Sequence, residues 1–323
     1  MDIGPDNLIY FTGSNVSQIW RVDNKGNAEL FAAITDGSGY TLGIEFDTHG
    51  NLYLVNGAGV YKIAADNMMD TLPISPTIFP PWDADAMPIV PHGIGIDNNN
   101  SHAYVGNMGK GEILKIDMKT GVNKVWTSSA DGTDKYTELL GDLESTNFIG
   151  GLPLGIVDVM VDEKSKWLYF SNHERNFFGR VRILRNGNPG KLQVFDIVKG
   201  WAALNGAYLD RINNKLYAVT PFTNFQNGAE REPLAKLGGE IWMIDINDID
   251  EDGTGGKAKR IVKDSALGTP VDIITGHNFG NPSDLYLLDG SYDTQVWPTG
   301  IVPDPDATYH AAVRIFKGGA KSA

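Results

Sequence analysis

The stretch GIEFDTHGNLYL, residues 43–54, decides the fold, and GVYKI follows it at residues 59–63. Short apolar runs flank turn residues, and the alternation of apolar and polar side chains is typical of half-buried β-strands. The aliphatic-tyrosine pair of this stretch recurs at Ile9-Tyr10, Leu52-Tyr53, Ala103-Tyr104, Leu168-Tyr169, Leu216-Tyr217 and Leu285-Tyr286. The tyrosines lie about 40 to 70 residues apart, which suits four-stranded blades with loops of unequal length. The six copies predict an all-β fold, a six-bladed β-propeller with a central tunnel, formed by residues 1–323 as one domain.

Glycine marks the strand that precedes three of the tyrosine pairs, in LGIEFD (42–47), HGIGID (92–97) and NGAYLD (205–210). The innermost strands of a propeller converge on its axis, and a residue without Cβ lets two backbones approach. We therefore expect the side chain before each glycine to face the tunnel. A second strand follows each pair, and three of these strands run into Asp23, Asp117 and Asp245, where turns are predicted.

The charge balance argues against nucleic acid as a partner. The chain has 40 acidic and 27 basic residues, a formal net charge of -13, and no concentrated basic patch. No apolar run is long enough to span a membrane, so the sequence predicts a soluble protein. It has no cysteine, which excludes disulfides and thiolate metal sites but leaves the compartment open, including secretion with a signal peptide removed before Met1.

The blade at residues 43–63, with the similar stretches at residues 91–117 and 204–217, resembles the senescence-marker-protein/gluconolactonase family, whose strand signatures strictosidine-synthase-like propellers share. The resemblance implies an axial divalent cation, usually calcium, and lactone hydrolysis. Asn205 matches the family's asparagine, and Asp272 and Asp158 are the remaining carboxylates for such a site. The segment DIGP at residues 2–5 stands where the family has a glutamate, so the resemblance does not supply the full ligand set.

Four polar residues are the candidate catalytic groups. His92 and Asn205 precede inner-strand glycines, while Asn172 and His173 follow the fourth tyrosine strand at a loop mouth. An imidazole there would act as general acid or base, or would donate a hydrogen bond to a carbonyl. Packing and turn capping explain the same residues without any catalytic role.

The long insertions contain apolar and aromatic residues where solvated loops are usually polar, which predicts a lid over one face of the propeller. We expect a hydrophobic small molecule to contact these residues together with tunnel-facing ones: Tyr40, Leu42, Phe79, Trp82, Phe222, Phe225, Asp272 and Trp297. Loops that simply pack on one another are the structural alternative.

Three functions are compatible with this reading. Some fungal members of the propeller family catalyse natural-product cyclisations, including hetero-Diels-Alder reactions, and an apolar tunnel resembles that branch. The leading hypothesis is a cyclase of this kind, which requires no cofactor because positioning and one hydrogen bond lower the barrier. A calcium-dependent lactonase and a non-catalytic binding propeller are the alternatives. The sequence has no Ser-centred nucleophile elbow, Walker loop or dinucleotide fingerprint.

Overall fold

Consecutive antiparallel strands build the described part of the protein. The computed structural model describes residues 1–13, 17–35, 41–69, 77–86, 88, 90–128, 139, 155–173, 175–197, 204–222, 237–264, 270–277, 279–289 and 312–316. Within these residues the chain forms six sheets, and each sheet is a meander of strands that follow one another in sequence. One sheet corresponds to one copy of the tyrosine repeat.

The first three sheets have four strands each. Sheet 1 contains β1 (Asp2–Ile3), β2 (Ile9–Gly13), β3 (Gln18–Val22) and β4 (Ala28–Ala33). Sheet 2 contains β5 (Thr41–Phe46), β6 (Leu52–Asn56), β7 (Gly59–Ile63) and β8 (Thr77–Pro81). Sheet 3 contains β9 (Pro91–Ile96), β10 (His102–Asn107), β11 (Glu112–Asp117) and β12 (Asn123–Ser128).

The last three sheets differ in strand number. Sheet 4 contains β13 (Ile156–Val161), β14 (Trp167–Asn172), β15 (Phe177–Ile183) and β16 (Pro189–Ile197). Sheet 5 contains β17 (Ala207–Asp210), β18 (Lys215–Phe222), β19 (Leu237–Asp245) and β20 (Lys259–Asp264). Sheet 6 contains β21 (Pro270–Thr275), β22 (Leu285–Asp289) and β23 (Ala312–Phe316).

The predicted propeller is confirmed, but the predicted count of six four-stranded blades is corrected. Among the described residues five sheets are complete four-stranded blades and the sixth has three strands. The repeat that we counted, a tyrosine strand with its two neighbours, needs only three strands. It therefore cannot distinguish a complete blade from a three-stranded sheet.

Helix is confined to short 3-10 turns in the described part of the chain, at Ala65–Met69, Ala84–Ala86 and Ile246–Asp248. None of the described helices has the length and apolar composition that crossing a bilayer requires.

The first strand of each sheet lies at the axis. These inner strands pack against one another in order, β1 against β5, β5 against β9, β9 against β13, β13 against β17 and β17 against β21. Sheet 6 returns to sheet 1 through an apolar cluster that includes Ile9, Phe11, Ile274 and Tyr286. The inner strands therefore surround a tunnel. We call the side of the tunnel at which the inner strands begin its upper part, and the side at which they finish its lower part.

The six repeated tyrosines hold neighbouring sheets together. Each is at least 96% buried and lies on the second strand of its sheet, in an apolar cluster shared with an adjacent sheet. In the register of the strands each tyrosine pairs with one residue of the inner strand: Asp2, Glu45, Gly95, Met160, Tyr208 and Ile274. Since each partner lies opposite a repeated tyrosine, these six inner-strand residues occupy equivalent positions around the tunnel.

The predicted close approach at the glycines is present. A Cβ on Gly206 would lie 2.4 Å from both the Asp272 Cα and the Val271 carbonyl oxygen of sheet 6. A Cβ on Gly93 would lie 2.6 Å from the Asp158 Cα of sheet 4. Both contacts involve the backbone of the next inner strand, so no rotation of a side chain relieves them.

Aspartates end many strands and close the turns after them. Asp23, Asp117 and Asp245 each accept backbone hydrogen bonds from residues two to four positions later, as the turn prediction requires. Asp47 does the same after an inner strand, accepting from the backbone N–H groups of His49 and Asn51. Several of the acidic side chains therefore stabilise turns by accepting backbone hydrogen bonds.

Candidate functional site

Carboxylates on the inner strands hold the ring of sheets together. Because a tunnel-facing strand edge has backbone N–H groups without a neighbouring strand, these donors need acceptors from elsewhere. Three carboxylates each accept a hydrogen bond from the inner strand of the next sheet: Asp2 from Phe46 at 2.7 Å, Glu45 from Ile96 at 3.2 Å and Asp158 from Ala207 at 2.7 Å. These acids have a structural role that the sequence pattern did not reveal.

His92 faces Asp158 across the upper part of the tunnel. The His92 Nδ1 lies 3.5 Å from the Asp158 Oδ1, and the two side chains are 19% and 16% exposed. The Nδ1 atom is buried and has no hydrogen-bond partner in the described part of the protein. A buried polar atom without a partner costs free energy unless something else satisfies it. His92 therefore has hydrogen-bonding capacity that the described residues leave unused.

His173 lies close enough to His92 for the two rings to interact electrostatically. Its Nδ1 lies 2.9 Å from the Leu204 carbonyl oxygen. Because a carbonyl only accepts, this contact assigns the proton of neutral His173 to Nδ1 and leaves Nε2 as an acceptor. Burial lowers the pKa of His173 to about 4, and the charge of His92 acts in the same direction. His173 is therefore neutral at neutral pH.

Asn205 lies in the backbone segment that joins these groups. Leu204 contacts His173, Ala207 donates to Asp158, and the Asn205 N–H donates to the Val219 carbonyl at 2.9 Å. The structure thus brings His92, His173, Asp158 and the Asn205 backbone to one part of the tunnel. Leu42 lies beside them, packed on a small apolar cluster of Val90, Met108 and Val157.

Three predicted site residues have structural positions instead. Asn172 is fully buried, and its side chain accepts a hydrogen bond from the Arg175 N–H, which caps the turn after β14. Trp82 belongs to the apolar core between sheets 2 and 3, where its Nε1 donates to the Asn56 carbonyl at 3.1 Å, and Phe79 packs on the same core. Phe79 and Trp82 thus lie in the outer strand of a blade and at its edge. That these three residues contact a ligand stays a prediction.

The remaining predicted lid residues are not tested. Tyr40, Phe225 and Trp297 lie outside the described residues, as does the side chain of Phe222. Their contact with a ligand stays a prediction.

The residues predicted to hold a cation fit one poorly. Asp158 accepts from the Ala207 N–H, while Asp272 accepts from the Ile273 N–H and from the Met1 amino group. Calcium needs six or more oxygen ligands, several of them charged. No group of three or more His, Asp or Glu side chains suited to a metal ion occurs among the described residues. We derive no catalytic step through calcium.

The lower part of the tunnel is an open cavity of about 520 Å³. Asp158 and Asp272 border its inner end, and residues that follow inner strands, such as Thr48, Ile212 and His277, border its mouth. Four of the inner-strand residues that pair with the repeated tyrosines also line the cavity: Asp2, Glu45, Met160 and Tyr208. Asp158 borders this cavity and also lies 3.5 Å from His92, so the cavity and the upper cluster share one residue.

Glu45 and Arg211 form an ion pair in this cavity. The Arg211 Nη2 donates to the Glu45 Oε1 at 3.0 Å and its Nε donates to the Val161 carbonyl at 2.9 Å, so Arg211 of sheet 5 reaches sheets 2 and 4. Burial raises the pKa of Glu45 to about 7, although Arg211 opposes this shift. Burial also raises the pKa values of Asp2 and Asp272. The sequence analysis did not select Glu45 or Arg211. Glu45 could have been found from the strand register, because it lies on an inner strand opposite the repeated Tyr53.

Comparisons with known proteins support the fold alone. No family model and no curated protein matches the sequence. A solved structure of a nidogen/laminin complex matches with 13% identity over 88% of this chain and 85% of that chain, at a TM-score of 0.56. A putative TolB from Agrobacterium tumefaciens matches with 11% identity over 81% and 79%, at 0.50. A streptogramin B lyase structure has 16% identity over 88% of both chains, at 0.49.

These structural neighbours are β-propellers, and the fold and the neighbours together define this chain as a β-propeller protein. They do not support the gluconolactonase-like family or its fungal branch in particular. That finer resemblance stays a prediction.

Proposed function

We propose that the protein is a small-molecule enzyme that binds its substrate in the axial tunnel and catalyses a ring closure there. The observation that carries the proposal is the His92 imidazole, whose buried Nδ1 has no hydrogen-bond partner in the described structure and faces Asp158 at 3.5 Å. Small-molecule sites are concave, mostly apolar and supplied with a few polar groups that set orientation. The tunnel is concave, and its lower cavity has both apolar residues and charged groups on its walls.

The proposed reaction is a hetero-Diels-Alder cyclisation of an unsaturated carbonyl compound with an alkene of the same molecule. Two σ bonds form as two π bonds are consumed, the remaining π bond shifts, and no atom is gained or lost. His92 donates a hydrogen bond to the carbonyl oxygen and withdraws electron density from the heterodiene. Walls that hold the two reacting parts in contact supply the rest of the acceleration, because orientation removes much of the entropic barrier.

Hydrolysis of a lactone is the second candidate, and the His92–Asp158 pair is the observation that favours it. A carboxylate beside an imidazole orients the ring and stabilises its protonated form, so that the imidazole takes a proton from water as the water attacks a carbonyl. A purely binding propeller is the third candidate. A concave volume of about 520 Å³ gives more support to a small-molecule site than to a protein-binding face.

The mass of the product distinguishes these functions. The protein is incubated with a panel of unsaturated carbonyl compounds that carry a tethered alkene, and with simple sugar lactones, and the products are analysed by liquid chromatography and mass spectrometry. We expect an isomer of a panel compound, formed with one handedness and absent with heat-denatured protein. A product that has gained one water, above all one that requires calcium after chelation, contradicts the cyclase and supports the lactonase. No conversion of either panel contradicts both.

A further inference from the structure

Arg211 has N–H donors without a hydrogen-bond partner among the described residues. A guanidinium group has five N–H donors. The described structure gives Arg211 two hydrogen bonds, one to the Val161 carbonyl and one to Glu45. The side chain is 34% exposed and lines the lower cavity. Three donors of this rigid, planar cation therefore have no hydrogen bond within the described residues, and its fork shape matches two acceptor atoms of one ligand group.

The acids of the cavity are already engaged by protein donors. Asp2 accepts from the N–H groups of Ile3 and Phe46, and Asp158 accepts from Ala207. Asp272 accepts from Ile273 and from the Met1 amino group. Each of these carboxylates thus already has a protein donor, and the N–H groups of Arg211 without a described partner favour a ligand that brings acceptors.

One wall of the cavity is apolar. Ile94, Met160, Leu209 and Ile212 line it along with the charged residues. Apolar contact there would contribute about 25 cal/mol for each Å² removed from water. A ligand that satisfies both walls has an acidic head and a hydrocarbon body.

We propose that the lower cavity binds a small amphipathic carboxylate, with the Arg211 guanidinium holding the carboxylate and the apolar wall holding the hydrocarbon part. Glu45 then gives up its contact with Arg211 and, when protonated, donates to the ligand. The charged groups that face Glu45 are Arg211 and Asp2. The binding claim stands without the proposed reaction. Only the further statement, that the anchored acid is the substrate and extends toward Asp158 and His92, rests on the proposed function.

The test is isothermal titration calorimetry of the full chain with three matched probes: hexanoate, hexanamide and hexylamine. We expect saturable binding of hexanoate alone, loss of this binding in Arg211→Gln, and weakening of about tenfold in Arg211→Lys, which keeps the charge but not the planar fork. Arg185→Gln is the control, since it removes an exposed charge from the β15–β16 turn. Circular dichroism checks that each variant is folded.

The pH dependence supplies a second readout. Because the pKa of Glu45 is about 7, its protonated fraction falls about tenfold between roughly pH 6 and pH 8, and hexanoate affinity should fall with it. Glu45→Gln should remove this dependence, which keeps the proposal testable if Arg211→Gln does not fold. Binding of hexylamine in place of hexanoate, equal binding of hexanoate and hexanamide, or no binding to the folded wild type would each overturn the inference. Hexanoate binding without turnover would leave it intact and count against the proposed function alone.

Discussion

Replacement of His92 by alanine should lower turnover by about 10²-fold, the effect of removing one donor from a preorganised carbonyl-binding site. The variant should keep a melting temperature close to that of the wild type, because the Nδ1 atom has no hydrogen-bond partner in the described structure that the substitution would break. Turnover is measured with the cyclisation substrate found by the product screen, and the melting temperature by circular dichroism.

Two variants sharpen this prediction. His92→Gln keeps an N–H donor on a flexible chain and should recover part of the lost rate. His102→Ala is the matched control, because His102 pairs with Asp97 at the turn after β9, whereas His92 lies at the other end of that strand. Full activity in His92→Ala, or equal losses in His92→Ala and His102→Ala, would show that His92 does not act on the substrate.

Replacement of Gly206 by alanine should have the largest effect on stability, about 3 kcal/mol of the free energy of unfolding. The new Cβ would lie 2.4 Å from two backbone atoms of β21, and the inner strands of sheets 5 and 6 would have to separate. Urea denaturation followed by tryptophan fluorescence measures this change.

Gly106→Ala is the matched control for the glycine substitution. Gly106 lies on β10, and a Cβ there would lie 3.1 Å from the Val157 carbonyl and 3.6 Å from the next nearest atoms. We expect a cost below about 1 kcal/mol, because small shifts relieve such a contact. Equal costs for the two variants would mean that sheets 5 and 6 do not meet as closely as described.

The tyrosine repeat predicted the propeller because each copy marks a buried strand that lies between two others in the same sheet. The same local character explains the error in blade count, since the outermost strand of a blade has no signal of its own. The glycines before Ile94 and Ala207 predicted the contact between inner strands correctly, because only backbone proximity explains an absent Cβ at repeated positions.

The site was only partly predictable. His92 could be placed at the tunnel because its blade repeats the pattern of two others, and the structure places it beside Asp158 and His173. The pairing of Arg211 with Glu45 joins residues that are distant in sequence, and no local pattern reports such a contact. Trp82 packs in a blade core, and its sequence context did not reveal this, because an aromatic residue in a long insertion suits both a lid and a core.

The most direct test of the central claim, that His92 lines an axial tunnel, uses the absence of cysteine from the chain. His92→Cys, Arg185→Cys and Leu54→Cys each carry a single thiol, and their rates of reaction with a small methanethiosulfonate reagent are compared in the folded protein. Arg185 is exposed and Leu54 is fully buried. We predict that the cysteine at position 92 reacts more slowly than the one at 185 and faster than the one at 54. A rate equal to that at 185 would place the side chain in bulk solvent, and a rate equal to that at 54 would place it in the core; either result contradicts the account.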